Sequence, residues 1–173
     1  MDLSPLLSAR KITIVGNIAS GKTTLARKLS RRLNIPVTHI DAIQFNSDLS
    51  IANMNQTRAT LNAVQSQEAW IIDGQGPLDM FEGRFALADR IVFIDLPIHL
   101  NFILLTYRLF KNIFSPRSEL PTGSSEMSWK HIKKQYRTTW TIHKKMRPEL
   151  IRMLNRKEFQ PKLMTLTDLS SKI

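Results

Sequence analysis

The chain has 173 residues, 42% hydrophobic and 23% charged, which is the balance of one ordinary globular domain, residues 1–173, with a core of its own. It contains no cysteine, which excludes a disulfide framework and a thiolate metal site, and its longest apolar tract, residues 97–105, is broken by His99 and Asn101 and too short to cross a bilayer. The net charge of +11 is uneven, +1 over residues 1–100 and +10 over residues 101–173, so a polyanion (ATP phosphates, a phosphorylated substrate or nucleic acid) is expected to meet the second half. Asp2 and the short apolar run after it do not read as a secretory signal, and a cytoplasmic location is expected.

Residues 11–15 form a short β-branched apolar run that predicts a buried parallel strand. There follow Gly16, Asn17, Ile18, Ala19, Ser20, Gly21, Lys22 and Thr23, with Thr24 behind them, in the pattern G-x-x-x-x-G-K-[ST] of a phosphate-binding loop. Leu25, Leu29 and Leu33 recur every four residues and predict a helix over residues 23–33. Strand, glycine loop and helix suit a polyphosphate: backbone N–H groups wrap it and the helix N-terminus faces it. Lys22 is expected to neutralise the β- and γ-phosphates, and the Thr23 hydroxyl to help hold Mg²⁺. ATP and Mg²⁺ are the cofactors this stretch implies.

Pro36 ends the helix, and residues 37–40 predict a second strand that closes on Asp41. A carboxylate there lies on the ligand-binding edge of an open α/β sheet, so Asp41 either serves the metal or acceptor or caps the next segment. Residues 42–53 read as a loop and residues 54–67 as a helix. Residues 69–72 predict a buried strand ending at Asp73 and Gly74. Asp73 is the candidate second Mg²⁺-organising carboxylate, and Trp70 is expected in the core. A loop and short helix containing Arg84 lead to a fourth strand, residues 91–94. Asp95 behind it is equally suited to a turn because Pro97 follows.

Residues 99–114 predict a long helix carrying Arg108 and Lys111, and residues 115–128 a Ser/Pro/Gly loop carrying Arg117. Residues 129–154 resume a helical pattern dense in Lys and Arg, Arg137 and Arg147 among them, with a kink or new start at Pro148. Residues 162–167 are the last strand candidate. Five strands alternating with helices predict a three-layer α/β/α fold on a parallel sheet. The four histidines show no metal-ligand spacing and are expected to be surface or satisfied polar residues.

GNIASGKTT at 16–24, PVTHIDA at 36–42, WIIDGQ at 70–75, ADRIVFIDLP at 88–97, LPTGSSEMSW at 120–129 and HKKMRPE at 143–149 together resemble the topology-modulation (FlaR-type) proteins, small P-loop proteins of the adenylate-kinase-like group. The resemblance runs from about residue 11 to 167. It implies a nucleoside-monophosphate-kinase-like P-loop NTPase fold with a mobile basic helical lid at about 108–147. It also implies an ATP loop at 16–24, Asp41 and Asp73 beside the acceptor and metal, and Arg108 and Arg117 flanking the lid, with Arg137 and Arg147 able to reach in. The chain departs from the group at Gln44, Phe45, Asn46 and Ser47, where relatives carry an aromatic-proline-tryptophan segment. It departs again at Gln75 and Gly76, where they read Asn-Tyr. Both departures lie where an acceptor binds.

The expected activity is transfer of the ATP γ-phosphate to a small acceptor such as a nucleotide or nucleoside by a monomer or homodimer, with catalysis by Lys22, Asp41, Asp73, Arg108, Arg117 and Arg137 and metal binding by Thr23 and Asp73. The alternative is an ATP-dependent nucleic-acid-binding, DNA-topology-modulating NTPase using the basic half and Trp129, Tyr136 and Trp140 as a stacking surface. Their spacing of seven and four also suits a helical core stripe.

Overall fold

A computed structural model describes residues 4–46, 50–114 and 129–168. Its strands are β1 (Lys11–Gly16), β2 (Val37–His39), β3 (Trp70–Asp73), β4 (Arg90–Ile94) and β5 (Leu163–Leu166), joined in one sheet in the order β2–β3–β1–β4–β5. Every pairing is parallel: Lys11 faces Trp70, Ile12 faces Arg90, Val37 faces Ile71, and Ile91 faces Leu163. The phosphate-loop strand β1 is therefore central, which is why its residues are apolar on both sides.

Alternating side chains send each strand into two cores. Ile12, Ile14, Ile71, Val92 and Ile94 pack with Leu6 of α1 (Ser4–Leu7), with Leu25, Ala26 and Leu29 of α2 (Lys22–Leu33), and with Leu100 and Leu104 farther along the chain. On the opposite face Val15, Trp70, Ile72, Ile91 and Phe93 pack with Ile40 of α3 (Ile40–Gln44), Leu61 of α4 (Met54–Gln65), and Phe81 and Phe85 of α5 (Phe81–Leu87). Three more helices follow: α6 (Ile98–Phe114), α7 (Trp129–Thr141) and α8 (Arg147–Leu154). Leu150 and Leu154 of α8 complete the second core, and the architecture is the predicted three-layer α/β/α. Trp70 is fully buried, as expected.

The α2 boundaries follow local rules. Gly21 enters the helix in the left-handed region at φ 92°, and Asn34 leaves it at φ 54° while its N–H bonds the Ser30 carbonyl. Asn53 caps α4 by accepting the Asn55 N–H at 2.9 Å.

Two expectations need correction, and a third is met with an added turn. The second strand stops at His39, and residues 40–44 are helical, so Asp41 lies in the first turn of α3 rather than at a strand end, and the predicted loop begins later. Ile40 turns into the core against the Gly74–Gly76 backbone, and that burial starts the helix early. The basic stretch of residues 129–154 restarts at Pro148 as expected, in the first turn of α8, and a π-helical turn, Ile142–Met146, which the sequence reading did not anticipate, joins the two helices. The stripe of Trp129, Tyr136 and Trp140 is not core: Tyr136 stacks on Phe102, but Trp129 is 80% and Trp140 49% exposed.

Candidate active site

The C-terminal edge of the sheet gathers the polar residues. Gly16 ends β1 against β4 so closely that a Cβ there would lie 2.4 Å from the Ile94 carbonyl oxygen. No residue but glycine fits. From Gly16 the loop is tied at three consecutive carbonyls, two of them from outside it. Gln75 Nε2 donates to the Gly16 oxygen at 3.3 Å, Lys22 Nζ to Asn17 at 2.6 Å, and Asn101 Nδ2 to Ile18 at 3.1 Å. The Asn17 side chain accepts the Ile18 N–H at 2.7 Å and donates to the Thr139 carbonyl at 3.1 Å, which joins the loop to α7. Carbonyls engaged in this way are not available to a cation, and the backbone N–H groups of such a loop suit an anion.

Asp73 lies at the end of β3, 4% exposed. Its Oδ2 accepts the Thr23 hydroxyl at 2.7 Å and His39 Nδ1 at 2.8 Å, while Oδ1 is buried with no donor among the described residues. Burial pushes this carboxyl upward, but the His39 hydrogen bond, the Lys22 charge and the Thr23 hydroxyl outweigh it, and its pKa falls below the ordinary 3.8. The group is therefore a carboxylate at neutral pH. A hydroxyl beside a carboxylate with one unengaged oxygen is the hard-oxygen donor set that suits Mg²⁺. Among the described residues no cluster of three His, Asp or Glu side chains is placed to hold a metal, so these two would contribute only part of a coordination shell.

Beyond the loop, a small pocket lies between the end of β4 and the π-helical turn, lined by residues including Gly16, Asn17, Gln75, Asp95, His143 and Arg147. Arg147 Nε and Nη2 grip Asp95 at 2.6 and 2.7 Å, a fork-to-fork pair. The Asp95 hydrogen bond raises the Arg147 pKa. Burial, then the Arg147 charge, lowers that of His143.

Of the residues predicted from sequence, the fold brings Gly16–Thr24, Lys22, Thr23 and Asp73 together. Asp41 is half-buried on α3, but His39 is the β2 residue that reaches Asp73. Arg108 donates from α6 to Gln135 of α7 and so links the two helices. Arg137 is exposed on α7, on the face opposite the buried Gln135 and Thr139. Arg117 lies outside the described residues. Sequence reasoning missed His39, Gln75, Asn101 and the role of Asp95. For His39 and Asp95 a signal existed, since both stand at strand ends on the same edge as Asp73.

Comparisons with known proteins match the fold. A family model described as "ATPase family associated with various cellular activities (AAA)" matches residues 12–95, from β1 to the end of β4. The shikimate kinase of Acinetobacter baumannii, solved with shikimate, superposes with a TM-score of 0.52 at 14% identity over 98% of this chain and 88% of that one. The chain has a P-loop NTPase fold. Shikimate kinase from Bacteroides thetaiotaomicron (TM-score 0.48, 14% identity, 90% and 94% of the two chains) and a gluconokinase from Sinorhizobium meliloti 1021 (0.44, 12%, 88% and 93%) are also similar to this P-loop domain. A comparison with curated proteins finds no match. Among the described residues no helix of the domain is long and apolar enough to cross a membrane.

Proposed function

We propose that the protein is an ATP-dependent phosphotransferase that moves the γ-phosphate to a small acceptor. The observation that carries this is the joining of Thr23, at the head of α2, to the ionised Asp73, with Asp73 Oδ1 left unengaged beside a phosphate loop. Lys22, which rests on the Asn17 carbonyl, moves to the β- and γ-phosphates when ATP enters. Thr23 and Asp73 would hold Mg²⁺, which supplies charge neutralisation between the phosphates when bound. His39 fixes the Asp73 carboxylate, and Asp41 on α3 borders the acceptor. Arg108 and Arg137 would reach the transferred group as α6 and α7 close over the substrates, and Arg117 would add a third positive charge there.

The test is ATP turnover with Mg²⁺ across nucleoside monophosphates, nucleosides and small hydroxylated acids, beside a Lys22→Ala control. Transfer to one acceptor that is lost in the variant is expected. ADP release at one slow rate whatever acceptor is present would refute the reading and leave an NTPase.

One observation favours a second reading, nucleic-acid binding. Trp129 and Trp140 stand exposed on a basic helix, with Lys144 Nζ 5.2 Å from the Trp140 ring centroid. It predicts single-strand binding that weakens steeply with salt and survives Lys22→Ala.

A further inference from the structure

Helix α6 presents an outward face that a surface helix does not ordinarily carry. Its Asn101, Leu105 and Leu109 are buried, Asn101 against the phosphate loop, and Leu100 and Leu104 join the core on which α2 also packs. On the opposite side, at helical spacing, stand Ile103, Tyr107 and Phe110, which are 60%, 66% and 65% exposed. Polar side chains are the rule on such a ridge. Single exposed apolar residues are ordinary, but three in line on one helix mark an interaction surface.

The charges around this ridge are of one sign. Helix α2 lies in the same layer, since Leu25 and Leu29 share a core with Leu100 and Leu104, and α7 is held alongside α6 by the stacking of Tyr136 on Phe102. None of α2, α6 and α7 contains an Asp or Glu. Arg31 and Arg32 are exposed on α2, Lys111 on α6, and Lys133, Lys134 and Arg137 on α7. Across the sheet the helices differ, because α3, α5 and α8 carry Asp41, Glu82 and Glu149. Positive charge therefore frames the apolar ridge, and the three helices have no acidic side chain of their own to offset it.

An apolar strip framed by cations fits three kinds of partner unequally. A second copy would set like charge against like charge. Three side chains exposed by about two-thirds also offer only roughly 400 Å², about half of what one partner gives a standard interface. Single-stranded nucleic acid stacks on flat rings interleaved with cations along a groove. The α6 strip is instead a convex ridge with an isoleucine in it, and most of the cations stand on the neighbouring helices. An anionic bilayer surface matches both features. Apolar side chains enter the boundary between headgroups and acyl chains, tyrosine sits at headgroup level, and flanking Lys and Arg meet the negative headgroups.

We propose that α6, framed by α2 and α7, is the face by which the protein docks reversibly on an anionic lipid surface, lying on it rather than crossing it. The ridge uses no residue of the phosphate loop, so docking stands apart from the phosphotransferase reading.

The experiment floats the wild-type protein with vesicles of phosphatidylcholine alone or mixed with phosphatidylserine. Binding is expected on the mixed vesicles only and should weaken as salt rises. Tyr107→Ser combined with Phe110→Ser should lower it by on the order of tenfold or more. Arg31→Gln and Arg32→Gln should each lower it about fivefold. On bicelles of the mixed lipids doped with a nitroxide-labelled phosphatidylcholine, the Ile103 methyl signal of the wild type should broaden far more than that of Ile51, which is 61% exposed and bridges to Phe45 at the end of α3. No binding to the mixed vesicles overturns the proposal, as does binding that survives the double serine variant or equal broadening of the two methyls. If the serine variant does not fold, the methyl comparison on the wild type decides. A dimer in solution that the serine variant dissolves assigns the ridge to a second copy. Oligonucleotide binding lost in that variant, without any vesicle binding, assigns it to nucleic acid. Either result overturns the proposal.

Discussion

Replacing Arg147 with alanine removes both charge-assisted hydrogen bonds that Asp95 receives and strands a carboxylate that is 15% exposed. Breaking a fully buried pair from one side costs about 3–5 kcal/mol, whereas an exposed pair is worth about 0–1 kcal/mol. The Arg147 side chain is 38% exposed, so water screens the pair and reaches Asp95 once the arginine is gone. The expected loss lies between the two limits, about 1.5–3 kcal/mol. For a domain of this size that lowers the unfolding midpoint by roughly 5–8 °C. Thermal and urea unfolding of the wild type, Arg147→Ala, Asp95→Asn and the double variant would measure it. The double variant should recover part of the loss, because it no longer buries an unpaired charge. An Arg147→Ala midpoint within about 1 °C of the wild type would show that the pair is worth no more than a surface contact, and the reasoning would fail.

Two further perturbations test the edge of the sheet. Gly16→Ala forces a Cβ against the β4 backbone and should destabilise the fold by about 1–3 kcal/mol. It should also weaken binding of an ATP analogue; unchanged stability and affinity would contradict the close approach of the loop to β4. Asp73 has a lowered folded pKa, so its contribution to stability is complete above the unfolded value near 3.8 and is lost as pH falls through the folded value. Asp73→Asn should therefore be less stable at neutral pH and show a shallower acid limb in urea unfolding, and parallel pH profiles for the two proteins would refute the linkage.

Much of this was legible because it is local. The β-branched run, the glycine loop and the four-residue leucine spacing fix β1, the loop and α2 within 23 residues, and the structure follows them closely. Trp70 and Asp73 were readable for a similar reason, since four apolar residues and a carboxylate followed by glycine define the strand and its end. His39 and Asp95 failed for the opposite reason. Their partners Asp73 and Arg147 are remote in sequence, so no window on the chain contains both members of either pair. Pro97 also drew Asp95 toward a turn, although the residue stands just beyond β4 on the same edge as Asp73. The early start of α3 depends on Ile40 meeting the backbone at Gly74 and Gly76, a packing event between distant segments. The π-helical turn inserts no breaker residue, and Pro148 marks only the helix that follows it.

The central place of β1 has a consequence for how the chain comes to life. Thr23 completes the phosphate loop early in the sequence, yet β1 has no neighbours until β3 and β4 exist, and the sheet closes only with β5 at Leu166. At about 5–20 residues per second, roughly 7–30 s of synthesis separate the loop from its finished scaffold. A nucleotide stabilises only the form that binds it. On the proposed function, a nucleotide would therefore stabilise the loop only once β3 and β4 flank β1, and a chain released short of residue 90 would carry an intact motif without the β4 strand against which Gly16 is held.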